Sequence, residues 1–263
     1  MTDFNNITLD INHSIATLTL NRPNAANTMN VDLSREINQA SIIIDETPSI
    51  RAVIVTGSGN IFSAGGDLAS FADAADKAGQ QLKKITTFMN AAASRFARMD
   101  KPVIMAVNGT AAGAGFSLAI AGDIVICAQS AKFTMAYTAA GLSPDVGASY
   151  FLPRLIGLRK TQQLMLTNRR ITSTQALEWG MVTEVVDDEQ VLAKAQQVAQ
   201  QLAKGPTKAF GQIKQLLLSS ASNGLETQLE QEARGIAAMA NTEDGLEGVS
   251  AFLEKRQPQF IGQ

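Results

Sequence analysis

Hydrophobic and polar positions alternate in two short runs near the start of the chain, ITLDI and IATLTL, and the polar residues NHS separate them. Alternation with a period of two is typical of a half-buried strand, and the short polar connection favours a β-hairpin. Three later runs, RAVIVTG, KPVIMAV and DIVICA, are almost continuously apolar. Runs of this kind are typical of strands that are buried on both faces.

A helical period fills the space between the hairpin and the first buried strand. Four apolar residues there are spaced by four, three and four positions and so share one face of a helix: Leu33, Ile37, Ala40 and Ile44. Asn30 is placed to cap this helix, and Asp32 favours its first turn. Because strands alternate with helices, the pattern predicts an α/β core.

From about residue 189 onward the chain has helical character, with one interruption at KGPTKA. Leucines recur along these predicted helices at 216, 217, 218, 225 and 229. Their spacing fits packing on a neighbouring subunit and fits equally well a cover over the chain's own core. The pattern therefore leaves the packing partner of the helical tail open.

The composition narrows the class of protein. Hydrophobic residues make up 45% of the 263 residues and charged residues 17%. The formal net charge is −2 and the sequence contains no basic block, so a nucleic-acid partner is not expected. No apolar run reaches the roughly 18 residues of a membrane span. The first ten residues lack a signal-peptide pattern, and Cys127 is the only cysteine. We expect a cytoplasmic protein with no membrane partner and no disulfide framework.

His13 is the only histidine, and it stands in the predicted hairpin turn. A Ser–His–Asp triad would have to recruit it, and a zinc site would have one imidazole and one thiol at most. We interpret His13 as a solvated turn residue. The sequence therefore predicts no histidine chemistry and no metal site.

Two predicted strand-to-helix turns are rich in glycine and alanine: SGNIFSAGGDL, and the segment 109–123, GTAAGAGFSLAIAGD. A helix start offers unpaired N–H donors, and two such starts aimed at one point would stabilise a developing negative oxygen. The alternative is that small residues simply allow tight packing of helix on strand. A dinucleotide site at Gly113-x-Gly115 lacks the third glycine, and a phosphate loop lacks its Gly-Lys-Ser/Thr ending.

Six segments in order resemble the enoyl-CoA hydratase/isomerase (crotonase) family. They are NRPNAANTM, FSAGGDL, KPVIMAVNGTAAGAGFSLAIAGDIVIC, AKFTMAYTAAGLSPDVGASYFLPRLIG, ITSTQALEWGMVTEVV and EGVSAFLEKRQPQF. The nearest similarity is to the ring-1,2-epoxyphenylacetyl-CoA isomerase and enoyl-CoA isomerase branch. The resemblance implies an α/β spiral of ββα units over residues 1–195 and a helical region over 196–263 that forms trimers or dimers of trimers.

The resemblance also implies an acyl-CoA thioester substrate whose carbonyl oxygen binds two backbone N–H groups, here those of Gly66 and Ala114. The two glutamates that the family's hydratases use are replaced by Ser117 and Tyr137, which we expect to shape the pocket or hold water. Asp145, in GLSPDVGAS, matches the aspartate that acts as acid and base in the isomerase branch. The alternative is that Asp145 is an ordinary turn aspartate. For the acid/base role, burial of Asp145 would raise its pKa toward neutrality.

Contacts to coenzyme A follow from the resemblance as well. Residues near the Arg-Pro turn and the SAGGD turn surround the adenine in the family, so the candidates here are Arg22, Ala64, Asp67 and Leu68. Lys255, in FLEKR, matches a lysine that reaches the coenzyme A phosphate of a neighbouring subunit, and a solvated surface lysine is its alternative. We expect no metal or redox cofactor, since coenzyme A enters as part of the substrate.

We therefore predict an acyl-CoA double-bond isomerase in which Asp145 moves the proton. The alternatives are an enoyl-CoA hydratase with a non-standard acid/base pair, a non-catalytic acyl-CoA-binding subunit, and thioester hydrolysis at the same oxyanion site. The acyl group stays open. The segment 70–89, SFADAADKAGQQLKKITTFM, is expected to form part of the acyl pocket.

Overall fold

The computed structural model describes residues 4–263, except for the side chain of Ala75. Within this range the strands are β1 (Ile7–Asn12), β2 (Ile15–Leu20), β3 (Ala52–Gly57), β4 (Ile61–Ser63), β5 (Val103–Val107), β6 (Thr110–Ala112), β7 (Ile124–Ala128), β8 (Lys132–Thr134), β9 (Ile171–Thr172) and β10 (Glu184–Val186). The helices are α1 (Val31–Glu46), α2 (Leu68–Asp73), α3 (Ala78–Arg98), α4 (Ala114–Ala119), α5 (Ala148–Ile156), α6 (Leu158–Thr167), α7 (Ser173–Glu178), α8 (Val191–Ala203), α9 (Thr207–Ser220), α10 (Leu225–Ala240) and α11 (Glu243–Leu253). Short 3₁₀ turns lie at Pro23–Ala25, Ala75–Lys77, Tyr137–Ala140 and Asp188–Gln190.

The strands form two sheets that the chain visits in turn. One sheet has the order β1-β2-β3-β5-β7-β10, and the other has the order β4-β6-β8-β9. Each of the pairs β3–β4, β5–β6 and β7–β8 contributes its first strand to the larger sheet and its second to the smaller one. Helices follow each pair, so the chain winds as a spiral of ββα units, which confirms the predicted fold class.

The predicted hairpin and first helix are present. Strands β1 and β2 pair antiparallel, with Asn12 opposite Ile15, and His13 is exposed in the turn between them. Helix α1 begins after Asn30, whose Oδ1 accepts a hydrogen bond from the Leu33 N–H at 2.9 Å. The four apolar residues of its predicted face are fully buried: Leu33, Ile37, Ala40 and Ile44.

The predicted buried runs are the parallel strands β3, β5 and β7 at the centre of the larger sheet. All residues of β3 and β5 are buried, and helix α8 packs against both strands. Glycine-rich segments leave the carboxyl ends of β3 and β5 and enter β4 and β6. This topology brings the glycine-rich turn SGNIFSAGGDL and the glycine-rich segment 109–123 side by side.

The C-terminal helices are present as predicted, and α10 and α11 leave many apolar side chains exposed. Leu225, Leu229 and Ile236 of α10 are each more than half exposed, and Phe252 of α11 is 82% exposed. The division into 1–195 and 196–263 stays a prediction, with its boundary inside α8. Among the described helices, none combines the length and the apolar character that crossing a membrane requires.

Candidate active site

A cavity of about 680 Å³ lies where the two glycine-rich turns meet helix α3 and the segment between β8 and α5. Gly66 and Ala114 line it from the two turns, and Asp145 lines it from the β8–α5 segment. Three residue groups that are distant in sequence therefore share one cavity. The three residues are the catalytic candidates that the family resemblance implied.

The two turns are in direct backbone contact. A methyl group at Gly65 would lie 2.7 Å from the Ala112 carbonyl oxygen and 3.2 Å from the Gly113 Cα. The backbone at Gly65 has φ +94° and at Gly113 φ +51°, a conformation that residues with a side chain rarely adopt. Glycine at both positions thus lets the turns approach and brings the following residues, Gly66 and Ala114, next to one another.

The N–H groups of Gly66 and Ala114 are free. In the described part of the chain, neither donates a hydrogen bond to backbone or side chain, whereas the Gly113 N–H donates to Thr134 and the Asp67 N–H to Met29. Backbone donors away from water are almost always paired. Two free donors on one cavity wall are therefore suited to bind an oxygen of a ligand.

Packing explains part of the small-residue pattern. A methyl group at Gly115 would overlap the Ser63 carbonyl oxygen and crowd the Ser63 side chain, so this glycine allows helix α4 to lie against β4. The packing interpretation and the ligand-access interpretation therefore apply to different glycines within one short segment.

Asp145 lines the cavity, and one of its carboxylate oxygens is hydrogen-bonded within the protein. Its Oδ1 accepts a hydrogen bond from the Tyr137 hydroxyl at 2.5 Å. No hydrogen bond from another described residue reaches its Oδ2, and this oxygen is not among the fully buried polar atoms that lack a partner. Burial raises the pKa of Asp145 above its usual value, and the Tyr137 hydrogen bond opposes that shift. The raised pKa makes this carboxylate a stronger base than an ordinary aspartate, as suits a group that accepts and returns a proton.

Tyr137 and Ser117 contact each other. The Ser117 Oγ lies 2.8 Å from the Tyr137 Oη and 3.2 Å from the Gly113 carbonyl oxygen. Tyr137 lines the cavity, whereas Ser117 is fully buried behind it and is not among the lining residues. Burial and the neighbouring Asp145 raise the pKa of Tyr137, so its hydroxyl keeps its proton.

Backbone strain surrounds this group. Ala136, directly before Tyr137, has φ +54°, and Val146, directly after Asp145, has φ +51°. A positive φ is unusual for alanine and a clear outlier for a β-branched residue. Strained residues of this kind persist where the surrounding packing fixes them, and they concentrate at functional sites.

The predicted coenzyme A residues are divided between the cavity and its surroundings. Ala64 and Leu68 line the cavity. Arg22 and Asp67 do not line it; they form an ion pair at 3.0 Å, and the Asp67 carboxylate caps α2 by accepting from the Ser70 N–H. Lys255 is exposed after the end of α11 and is likewise outside the described cavity lining.

Several lining residues were not singled out in the sequence. Helix α3 supplies apolar side chains such as Ile85 together with polar ones such as Asn90, and the wall also includes Tyr150, Phe151 and Leu218. The expected contribution of the segment 70–89 is present through Phe71, Leu82 and other residues. Ala93 and Ala97 are spaced i, i+4 and so share one face of α3. Their small side chains were a usable signal that this face lines a cavity.

Of the residues described around this cavity, Asp145 is the only one with a carboxylate, and Arg98 is the only cation. A single acid/base group beside two free amides can abstract a proton next to a carbonyl group and stabilise the resulting anion. Two cooperating carboxylates are not available on this wall. The chemistry favoured by the geometry is therefore a proton transfer at a carbonyl compound.

Comparisons with known proteins show what this chain is similar to. The sequence model of the enoyl-CoA hydratase/isomerase family matches residues 10–263. The 1,2-epoxyphenylacetyl-CoA isomerase of Escherichia coli K12 is 42% identical over 96% of this chain and 97% of its own length. The trans-2-decenoyl-[acyl-carrier-protein] isomerase of Streptococcus mutans is 32% identical over 99% of this chain and 100% of its own. The crystal structure of an enoyl-CoA hydratase from Bacillus anthracis superposes with a TM-score of 0.92 at 32% identity, covering 98% and 100% of the two chains.

Proposed function

We propose that this chain, which belongs to the enoyl-CoA hydratase/isomerase family, is an acyl-CoA isomerase that moves a double bond by proton transfer through Asp145. One observation carries the proposal: the cavity wall, as described, combines two free amides with a single carboxylate. Two relatives with the word isomerase in their names support the same reaction class.

In the proposed reaction the thioester oxygen accepts hydrogen bonds from the Gly66 and Ala114 N–H groups. The Asp145 Oδ2 removes a proton from the carbon next to the carbonyl group, and the electron pair moves onto the oxygen as an enolate. Each oxyanion donor is worth about 3 kcal/mol in such a site. The protonated Asp145 then delivers the same proton to a different carbon, and the double bond has shifted.

The reaction is balanced without any other reagent. The substrate neither gains nor loses electrons, and water does not enter the product. A metal or redox cofactor is therefore not part of the proposal, and coenzyme A takes part as the thioester portion of the substrate. Ala64 and Leu68 are proposed to contact it directly, while Arg22 acts by holding Asp67 at the start of α2.

A hydratase is the second candidate, because the Bacillus anthracis neighbour bears that name. Water addition needs one group to activate water and another to protonate carbon. In this chain Ser117 and Tyr137 stand at the two positions where the hydratases of the family carry glutamate. The single carboxylate on the described cavity wall therefore favours the isomerase.

The deciding experiment supplies the protein with 2-enoyl, 3-enoyl and epoxy-aryl acyl-CoA thioesters and identifies the products by mass and ultraviolet absorbance. The isomerase proposal predicts products of unchanged mass from at least one of these classes. Asp145→Asn is expected to lower kcat by about 10²–10⁴-fold, the range for loss of a general acid/base. Asp10→Asn, at an exposed aspartate of β1, is the matched control and should leave kcat unchanged.

Two results would overturn the proposal. One is a gain of 18 Da, the mass of water, as the main product from crotonyl-CoA. The other is an Asp145→Asn variant that turns over every substrate at the wild-type rate, which would mean that a different acid/base group moves the proton.

The assembly belongs to the proposal as well. We propose that the apolar side chains exposed on α10 and α11 pack against neighbouring copies in a homotrimer or a dimer of trimers. In such an assembly Lys255 reaches the coenzyme A phosphate of an adjacent subunit. A cytoplasmic location is also proposed, on the basis of the single, buried cysteine.

A further inference from the structure

Two hydroxyl groups connect Asp145 to the Gly113–Ala114 peptide. The Tyr137 hydroxyl binds the Asp145 carboxylate, the Ser117 hydroxyl binds the Tyr137 oxygen, and the Ser117 oxygen also lies within hydrogen-bond distance of the Gly113 carbonyl. The Gly113 carbonyl and the Ala114 N–H are two ends of the same peptide group. Because the Ser117 N–H donates to the Gly113 carbonyl oxygen at 3.0 Å, Ser117 and Tyr137 connect the carboxylate to the peptide that carries the free amide.

The directions of these hydrogen bonds are coupled, because each hydroxyl has one proton. While Asp145 is ionised, Tyr137 donates to it and Ser117 must donate to Tyr137. When Oδ2 takes up the substrate proton, Oδ1 still accepts from Tyr137 and Tyr137 still accepts from Ser117. The hydrogen bonds from Tyr137 to Asp145 and from Ser117 to Tyr137 thus persist in both protonation states of Asp145.

We propose that Tyr137 and Ser117 are positioning residues that hold Asp145 for proton transfer and fix it relative to the Ala114 amide. This inference rests on the proposed function, since it assigns the two residues a role in that reaction. Ser117 is fully buried and outside the described cavity lining, so it acts through Tyr137. The positive φ angles of Ala136 and Val146 show that the backbone on both sides of the pair is held in an unfavourable conformation.

The electrostatic surroundings make the proposal testable through pH. Tyr137 is the titratable group in contact with Asp145, and Arg98 and Tyr150 complete the ionisable groups on the described cavity wall. A hydroxyl that donates to the ionised carboxylate stabilises that form and lowers its pKa. Removing the Tyr137 hydroxyl should therefore raise the pKa of Asp145 further and move the acidic limb of the kcat profile to higher pH.

Tyr137→Phe and Tyr150→Phe are the matched pair for this test. Tyr150 is the chain's other tyrosine; it lines the same cavity, but its hydroxyl donates to the Leu218 carbonyl at 3.0 Å. Tyr137→Phe is expected to lower kcat by about 10- to 100-fold, to leave KM nearly unchanged and to shift the acidic limb upward. Tyr150→Phe should leave the acidic limb where it is in the wild type.

Ser117→Ala provides the second test, because it removes a donor without altering the described cavity wall. We expect a smaller upward shift of the acidic limb than for Tyr137→Phe. The double variant should resemble Tyr137→Phe alone, since residues that act in series are not additive. Circular dichroism and binding of an unreactive acyl-CoA thioester check that each variant is folded.

The outcomes separate this inference from the proposed function. If Asp145→Asn is inactive while Tyr137→Phe keeps the wild-type kcat and acidic limb, the inference alone is wrong. The inference is also wrong if Tyr137→Phe lowers kcat without shifting the acidic limb, or if the effects of Tyr137→Phe and Ser117→Ala are fully additive. Either result would mean that Tyr137 and Ser117 have only a structural role. If Asp145→Asn remains active, the proposed function itself fails.

Discussion

The Lys214 Nζ lies 2.8 Å from the Asp123 Oδ2 and joins helix α9 to the start of β7. The ammonium also donates to the carbonyl oxygens of Phe96 and Lys101, at 2.8 and 3.0 Å. Burial lowers the pKa of Lys214 and raises that of Asp123, and each group opposes the shift in the other. One cation thus ties α9, the end of α3 and the larger sheet together.

Lys214→Met is expected to destabilise the protein by about 3 kcal/mol, because it leaves the Asp123 carboxylate and two carbonyl groups without their donor. Lys208→Met, an exposed lysine of the same helix, is the matched control and should change stability by less than about 0.5 kcal/mol. Urea unfolding followed by circular dichroism measures both. Equal stability of the two variants would show that the buried cation contributes nothing.

Gly65→Ala should reduce both stability and activity. A methyl group there would lie 2.7 Å from the Ala112 carbonyl oxygen, in a backbone with φ +94°, so the two turns must separate. We expect a destabilisation of about 1–3 kcal/mol and a loss of kcat as Gly66 and Ala114 move apart.

Gly79→Ala is the control for that substitution. Gly79 is exposed in α3, and nothing lies within 4 Å of an added methyl group. Alanine favours helix over glycine by up to about 1 kcal/mol, so this variant should be unchanged or slightly more stable. A Gly65→Ala variant as active and stable as Gly79→Ala would mean that the turn contact is not needed.

Asp145→Asn should make the protein more stable at neutral and mildly alkaline pH. The pKa of Asp145 is raised in the folded protein, mainly by burial. The protonated form therefore favours folding, and the wild type loses stability as pH rises through the folded-state pKa. Asparagine is neutral throughout, and the Tyr137 hydroxyl can still donate to its Oδ1.

Thermal melts of wild type, Asp145→Asn and the Asp10→Asn control test this from acidic to mildly alkaline pH. The Tm advantage of Asp145→Asn over wild type should be largest above the folded-state pKa and should shrink in acid. A constant difference across pH, or a less stable Asp145→Asn variant, would show that the carboxylate is not desolvated.

Phe252→Asp should weaken self-association. Its side chain is 82% exposed on α11, beside other exposed apolar residues of the same helix, and a charge there cannot be buried in an interface without a large cost. Light scattering after size exclusion is expected to give a trimer or hexamer for wild type and smaller species for the variant. Ile11→Asp, at a residue 47% exposed on the edge strand β1, is the control and should assemble normally.

Lys255→Ala should raise KM for an acyl-CoA thioester with little change in kcat, because the lysine is proposed to bind the coenzyme A phosphate rather than the reacting atoms. Removing the phosphate charge should have a similar effect, so a dephosphorylated coenzyme A thioester should bind wild type and variant equally. An unaltered KM would leave Lys255 as an ordinary solvated side chain.

Sequence periodicity was enough for the parts of the fold whose pattern is local. The face and cap of α1, the hairpin and the strands β3, β5 and β7 all follow from residue types within one element. The ββα spiral was not visible as a repeat of fixed period. The reason is that its helices differ in length, from six residues in α4 to 21 in α3.

The site was predictable only in part for a similar reason. Asp145 stood out as a lone acid in an uncharged segment, and the glycines marked the two turns. The chain from Ser117 through Tyr137 to Asp145 joins residues 20 and 8 positions apart, and the fold alone brings them together. The positive φ of Ala136 and Val146 had no signal, because those residue types normally avoid that conformation.

The cavity wall and the reacting groups come from different parts of the chain. Helix α3 and Leu218 form much of the wall, whereas the two free amides and Asp145 come from turns anchored on the sheets. Exchanging side chains along α3 can therefore alter which acyl groups fit while leaving the proton-transfer apparatus intact. Substitutions in one helix can therefore give new substrate preferences while the reaction stays the same.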